Sequence, residues 1–249
     1  MNIYYELLFL SEIDLLLCQL NEVGEFVTKF IIVESDYTFS GKTKPFCLED
    51  YKDQLKDWAC QIIYLKLKVN KYQGAWEMEH ASRMAGLENI DMGPDDIIVC
   101  GDTDEVPRRE VFQEALLDLI INGRGQVLQM DNYLYDFKSR IKEGKWLGTA
   151  MDYRKNINTL QELRDNRDKL KVNSNAGWHY SYLGDIERIR NKIASYSHKE
   201  INKRMTDEDI KNCLKEKKSL LDETAQIEIR ENDYPRFVRQ KPDLFKEFI

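Results

Sequence analysis

Ile97-Ile98-Val99-Cys100-Gly101-Asp102-Thr103-Asp104-Glu105-Val106-Pro107 is the stretch around which the chain is organised. An unbroken apolar run ends in three carboxylates within four residues. Such a run, closed by glycine and a polar cluster, reads as a buried central strand that delivers its C-terminal end to a site. Pro107 suits a first helical turn, and Phe112, Leu116, Leu119 and Ile120 continue at helical spacing. The acids therefore fall at a strand-to-helix junction, the edge where open α/β sheets bind ligands.

Alternate residues of an extended chain point to one side, about 6.5 to 7 Å apart. Asp102 and Asp104 are too far apart for an unaided chelate unless the chain turns there. They suit one shared ligand: a hard divalent cation, Mn²⁺ or Mg²⁺, together with something that cation carries. The competing reading is a solvated acidic turn that caps the next helix through its dipole.

Upstream, Ile3 to Phe9 reads as a first strand, and Ser11 as the cap of a helix with an Ile13, Leu16, Leu17 and Leu20 stripe. Phe30 to Val33 is a second strand ending in Glu34-Ser35-Asp36, so the start is a βαβ unit. Thr38 to Lys44 is a loop at the ligand edge, Tyr51 to Trp58 a short helix, and Ile62 to Leu67 a third strand. Trp76, His80, Met84 and Leu87 share a helix face.

Downstream, Val127 to Phe137 reads as a long strand whose Tyr133, Tyr135 and Phe137 alternate onto one, mainly core, face. Lys138 to Asp152 is loop-like. Gly177 to Tyr182 is strand-like, and Asp185 is the expected N-cap of a helix carrying Ile186, Ile189 and Ile193. Ser195 to Glu200 reads as a turn containing His198, and Thr206 to Leu221 as a charge-rich helix. The whole is expected to be α/β: a mostly parallel, Rossmann-like mixed sheet flanked by helices. One domain over 1–205 carries a helical extension over 206–249.

With 249 residues, 42% hydrophobic and 33% charged, the chain can bury a sizeable core. A net charge of −7 argues against a general nucleic-acid role. Five scattered cysteines with no CxxC pair suggest free thiols in a reducing compartment, not a zinc site. No basic leader and no apolar run near 18 residues stands out, so no stable membrane insertion and a cytoplasmic location are expected. The oligomeric state stays open.

Several runs together resemble glycosyltransferase family 17, the β-1,4-N-acetylglucosaminyltransferase family that adds bisecting GlcNAc to N-glycans. They are Asn21-Glu22, Phe30 to Gly41, Gly101 to Pro107, Trp146 to Thr149, Gly177 to Ser181, and Ser195 to Glu200. The resemblance implies a GT-A-type fold, an inverting transfer, a nucleotide-sugar donor, most simply UDP-linked, and a glycan acceptor. The sugar would be GlcNAc or another such as xylose.

By that similarity Asp104 is the metal ligand, Asp102 supports ribose or metal beside Thr103, and His198 completes the metal shell. Glu34 and Ser35 would touch the nucleoside, against a strand-end cap. Arg83 would steady the diphosphate, against a helical pair with Glu79. Trp146, Trp178, His179 and Tyr182 are candidates to face a sugar, against a core role. An inverting transfer needs a carboxylate base. Asp185 has the right setting at a helix start, and Asp131 and Asp152 are runners-up. Two other classes compete: a metal-dependent nucleotidyltransferase or phosphohydrolase, and an inactive carbohydrate-binding homologue. The lack of a Gly-rich phosphate loop weighs against the first of these.

Overall fold

The computed structural model describes residues 1–249 except 70–72, 196–205, 221 and 223. Its strands are β1 (Ile3–Leu8), β2 (Lys29–Ser35), β3 (Ile62–Leu67), β4 (Ile97–Asp102), β5 (Glu105–Pro107), β6 (Gln126–Leu134), β7 (Ser139–Tyr153), β8 (Lys171–Asn173), β9 (Gly177–Ser181) and β10 (Ile227–Ile229). They form a single sheet of order β3-β2-β1-β4-β7-β6-β9-β5, with β10 against β7 and β8 against β6. The β3-β2-β1-β4 half is parallel. At β4 the neighbour becomes antiparallel β7, and the sheet continues as a mixed half. This is the mixed sheet flanked by helices that the sequence led us to expect.

Strand β4 shows why its sequence is apolar without alternation. Ile97 and Val99 join the core under α1 (Ile13–Val23) and α3 (Arg109–Asn122). Ile98 and Cys100 face the opposite core, with Leu160 and Leu163 of α4 (Leu160–Asp165). A strand covered on both faces needs apolar residues at every position. Helix α2 (Ala75–Asn89) covers that second face further along, through Ala85 against Ile31 and Val33.

The chain after β4 turns at Thr103-Asp104 and enters β5 at the far end of the strand order. The sheet must curl to let two adjacent segments lie there. Strand β5 pairs with β9, with Glu105 opposite His179, and Tyr180 donates its N–H to the Asp104 carbonyl at 2.9 Å. That pairing places the acidic turn beside His179. Gly177 permits it: a Cβ there would lie 2.3 Å from the Val106 carbonyl oxygen and 3.0 Å from Pro107 Cα. Backbone cannot rotate away, so Gly177→Ala is expected to cost about 1–3 kcal/mol, the range for overpacking. A lowered urea midpoint checks this; an unchanged one would contradict it.

Several local expectations need correction. Pro107 lies in the short terminal strand β5, where a missing N–H is tolerated, and α3 begins two residues later. Lys138 to Asp152 is not a loop: it is nearly all of the 15-residue strand β7. Its Gly148 is a packing glycine, since a Cβ there would meet Met130 Sδ at 3.0 Å. Tyr135 has φ 69° and leaves the face shared by Tyr133 and Phe137. Ser11 does not cap α1 through its side chain; Glu12 is the N-cap residue. Tyr51 to Trp58 is not one helix: it runs from the end of a 3₁₀ turn at Leu48–Tyr51 to another at Lys56–Trp58.

Helix α5 (Ile186–Ser195) follows Asp185, whose carboxylate accepts the Arg188 N–H at 2.9 Å as expected of an N-cap. Helix α6 (Asp207–Glu216) opens with a Thr206–Asp209 capping box. The remaining chain does not hang free. It adds β10 to β7, then α7 (Arg236–Gln240) places Val238, and the residues after it place Phe245, in a core with Trp178 and Tyr180. No helix among the described residues is long and apolar enough to cross a membrane.

Candidate active site

A cleft of about 520 Å³ opens at the carboxyl ends of β1, β2 and β4. Its walls include Phe9, Ser35, Tyr37, Trp76, Trp146 and His179, together with Arg83, Asp102, Asp104, Arg164, Arg167 and Lys192. The charged residues form a lattice. Asp102 is gripped by Arg83 from α2 at 2.9 Å and by Arg164 from α4 at 2.7 Å. Arg164 reaches on to Glu105 at 3.0 Å. Glu105 is wholly buried, accepts the Trp146 indole N–H at 2.7 Å, and accepts the Asp102 backbone N–H at 3.1 Å. One carboxylate thus fixes an arginine, an aromatic wall and the acidic turn.

Asp104 is only 8% exposed and faces Lys192 from α5 at 2.7 Å. Lys192 also contacts Glu12 at 3.3 Å. His179 Nε2 is 3.7 Å from Asp104, while its Nδ1 is 2.7 Å from the Asn132 side-chain oxygen. The His179 ring stacks on Trp146, centroids 4.7 Å apart. Thr103 points inward and donates its hydroxyl to the Leu8 carbonyl at 2.6 Å, which ties the turn to β1.

Burial opposes ionisation of Asp102, but Arg164 and Arg83 overcome it and hold its pKa down to about 2. Burial likewise opposes ionisation of Asp104, and Lys192 and His179 hold it well below the carboxylate range. A carboxylate with a lowered folded pKa stabilises the native state fully above its unfolded value of about 4, and that contribution disappears as pH falls. The urea midpoint of the unchanged chain should therefore fall between about pH 4 and pH 2, and the fall should be smaller in Asp102→Asn. Parallel pH profiles would contradict the assignment.

The structure sorts the sequence candidates. Ser35, Arg83, Asp102, Thr103, Asp104, Trp146, His179 and Tyr182 all line the cleft. Arg83 satisfies both of its readings, pairing with Glu79 as well as with Asp102. Glu34 does not line the cleft. It is fully buried, accepts from the Tyr64 hydroxyl of β3, and ties the following loop down through Lys44 and the Cys47 and Leu48 N–H groups. Its neighbour Ser35 points into the cleft, as strand geometry requires.

Trp178 is a core residue: Arg108 lies over its ring and its N–H goes to the Asp233 carbonyl at 2.9 Å. Asp131 is held by Arg140 and Lys145 and lies outside the cleft lining, so it is no candidate base. Asp152 pairs with Ile98, at the opposite end of β4 from the acids, and accepts from Tyr153 and Asn156. Asp185 lines an adjoining cavity. His198 lies outside the described residues.

Glu105 belongs to the acidic run, but its part in fixing Arg164 and Trp146 does not show in the sequence, and nothing there singles out Arg164 or Lys192. Lys192 sits on the polar side of a helix marked by its isoleucines, and Arg164 in a charged stretch without clear period.

A divalent ion does not fit the described donors as they stand. No three His, Cys, Asp or Glu side chains are grouped to hold one among the described residues. Both carboxylates of the motif are already matched by guanidinium and ammonium groups.

Fold and cleft define an α/β protein with an open cleft at the carboxyl edge of a mixed sheet. The chain belongs to glycosyltransferase family 17, whose model matches residues 1–222, and is a glycosyltransferase. Comparison with curated proteins gave no match. Among solved structures, the chain is similar to 4-diphosphocytidyl-2C-methyl-D-erythritol synthase from Anaerococcus prevotii DSM 20548, at 14% identity and a TM-score of 0.42, covering 71% of this chain and 87% of that one. It is also similar to S. aureus TarS 1-349, at 9% identity and a TM-score of 0.39, covering 78% and 63%. Likenesses this distant carry no activity across.

Proposed function

We propose that the protein transfers a sugar, with inversion, from a nucleotide-sugar to a hydroxyl of a glycan. UDP is the nucleotide the family resemblance favours, with GlcNAc or xylose as the sugar. The observation that carries this reading is the convergence of Arg83, Arg164 and Lys192 on the acidic turn at the floor of a cleft of ligand size. The nucleoside lies toward Phe9, Ser35 and Tyr37, the diphosphate against the three cations, and the sugar over Trp146.

The step is a displacement. The acceptor oxygen bonds to the anomeric carbon as that carbon's bond to the diphosphate oxygen breaks. The electron pair leaves with the diphosphate, and the hydroxyl proton passes to a carboxylate. Fixed cations stabilise the charge that develops on the leaving group. Arg83 and Arg164 are pre-set by their pairing with Asp102, and Lys192 by Asp104, so little reorganisation is needed. For the base we assign Asp185, which stands at the start of α5 on the adjoining cavity.

The test is product analysis. The chain is incubated with UDP-GlcNAc or UDP-xylose and a mixture of oligosaccharides, in Mn²⁺ and in EDTA. Transfer to a sugar with inverted anomeric configuration is expected. Exchange of added pyrophosphate into UTP with release of the sugar 1-phosphate, or cleavage of the donor to UMP and the sugar 1-phosphate without an acceptor, would instead support nucleotidyl transfer or phosphohydrolysis, and sugar binding without any turnover an inactive homologue. A strict Mn²⁺ requirement would put an ion, completed from beyond the described residues, in the role assigned to Lys192.

A further inference from the structure

A second cavity, about 680 Å³, adjoins the cleft. The two share Leu10, Glu12, Thr38, Lys44, Lys192 and Ser195 in their walls, so they lie side by side. One side is the loop carrying Lys42 and Pro45; the other is the first turns of α5, with Asp185, Arg188 and Asn191. Glu247 and Phe248 form a further part of the wall.

That part of the wall is built, not draped. Phe137 donates its N–H to the Phe248 carbonyl at 2.8 Å, and the two rings meet edge to face at 6.3 Å. Arg188 lies 5.6 Å from the Phe248 ring centroid. Arg188 is itself held by Asp14 of α1 through two bonds of 2.6 and 2.7 Å. Tail, α5 and α1 thus fix one another.

The lining has the chemistry of a site for a neutral polyol. Glu12, Asp185, Glu187 and Glu247 share the lining with Lys42, Lys44, Arg188 and Lys192, and three of these bases are also paired with carboxylates outside it, Lys44 with Glu34, Arg188 with Asp14 and Lys192 with Asp104, so no excess of positive charge invites an anion. Carboxylates accept hydroxyl protons, cations and Asn191 donate to hydroxyl oxygens, and an aromatic ring packs against C–H groups. The segment matched by the family model ends at residue 222, so Glu247 and Phe248 lie beyond it.

We propose that this second cavity binds the acceptor sugar, and that Glu247 and Phe248 select which sugar it accepts. The inference rests on the donor reading of the neighbouring cleft. It places the acceptor hydroxyl next to Asp185 and opens it toward the anomeric carbon across the Glu12–Lys192 boundary. Family members with other tails would then share a donor site and differ in acceptor.

Saturation-transfer NMR tests this on the full chain with mannobiose, N,N′-diacetylchitobiose, lactose and maltose as probes, with UDP binding measured alongside by calorimetry. At least one disaccharide is expected to bind. Glu247→Lys and Phe248→Ala should each weaken it about tenfold or more, a loss of about 1.4 kcal/mol, with UDP affinity kept. Glu247 is exposed, so its variant tests the site even if Phe248→Ala unfolds the tail. Binding of none of the four sugars, equal binding by both variants, or loss of UDP together with the sugar would overturn the proposal. Absence of UDP binding in the unchanged chain, by contrast, would count against the donor reading.

Discussion

Arg164→Ala is expected to destabilise the protein by about 3–5 kcal/mol, the usual cost of removing one partner from a buried ion pair. Arg164 is 6% exposed and bridges Asp102 and Glu105. Without it the wholly buried Glu105 keeps only Arg167, 3.9 Å away, as a cationic partner among the described residues. Each kcal/mol lowers the melting temperature of a chain this size by about 2–4 °C, so the shift should be large. Sugar transfer should fall about 100-fold or more, as when one fixed charge-stabilising group is lost from an active site. Arg164→Lys separates the two roles. It keeps the charge but cannot span both carboxylates with one planar fork, so it should restore stability only in part. An Arg164→Ala protein as stable as the unchanged chain would show that the lattice does not exist as described.

Lys192→Met should abolish transfer for a different reason. The ammonium is the only described cation within hydrogen-bond distance of Asp104, and it stands between Asp104 and Glu12, both about nine-tenths buried. Removing it leaves two carboxylates facing each other and takes away the charge that meets the leaving diphosphate. Adding Asp104→Asn removes one of those orphaned charges. The double variant should therefore regain stability over Lys192→Met, since an unpaired buried charge costs more than an absent pair. It should regain no transfer. A double variant that recovers transfer would refute the role assigned to Lys192; urea unfolding and a product assay on the three variants decide it.

What the sequence made legible follows from which residues report on their own surroundings. The Ile97 to Cys100 run declares a doubly covered strand because every position is apolar, and the acids after it declare its end. The alternation of a strand separates Ser35 in the cleft from Glu34 in the interior, and His179 in the cleft from Trp178 in the core. That alternation was present in the sequence, but its phase was not, because both faces of these strands carry polar and aromatic residues. In the sequence Asp131 stands as a runner-up to Asp185 for the catalytic base. Only the β6–β7 hairpin reveals that Arg140 and Lys145 lie across from it. Strand β7 was hidden for a related reason: Lys142, Glu143 and Lys145 are solvent-facing, and Gly144 and Gly148 imitate turn residues. Arg164 and Lys192 come from helices remote in sequence from the acids they match, so no local pattern could announce them.

The most direct measurement is titration calorimetry of the full chain in EDTA with UDP, GDP, dTDP and CMP, repeated with Mn²⁺. Side-chain cations at the acidic turn predict that at least one of the diphosphates binds once per chain in EDTA, and that Lys192→Met loses that binding. If no nucleotide binds under either condition, the cleft is not a donor site, and the nucleotide-sugar reading fails.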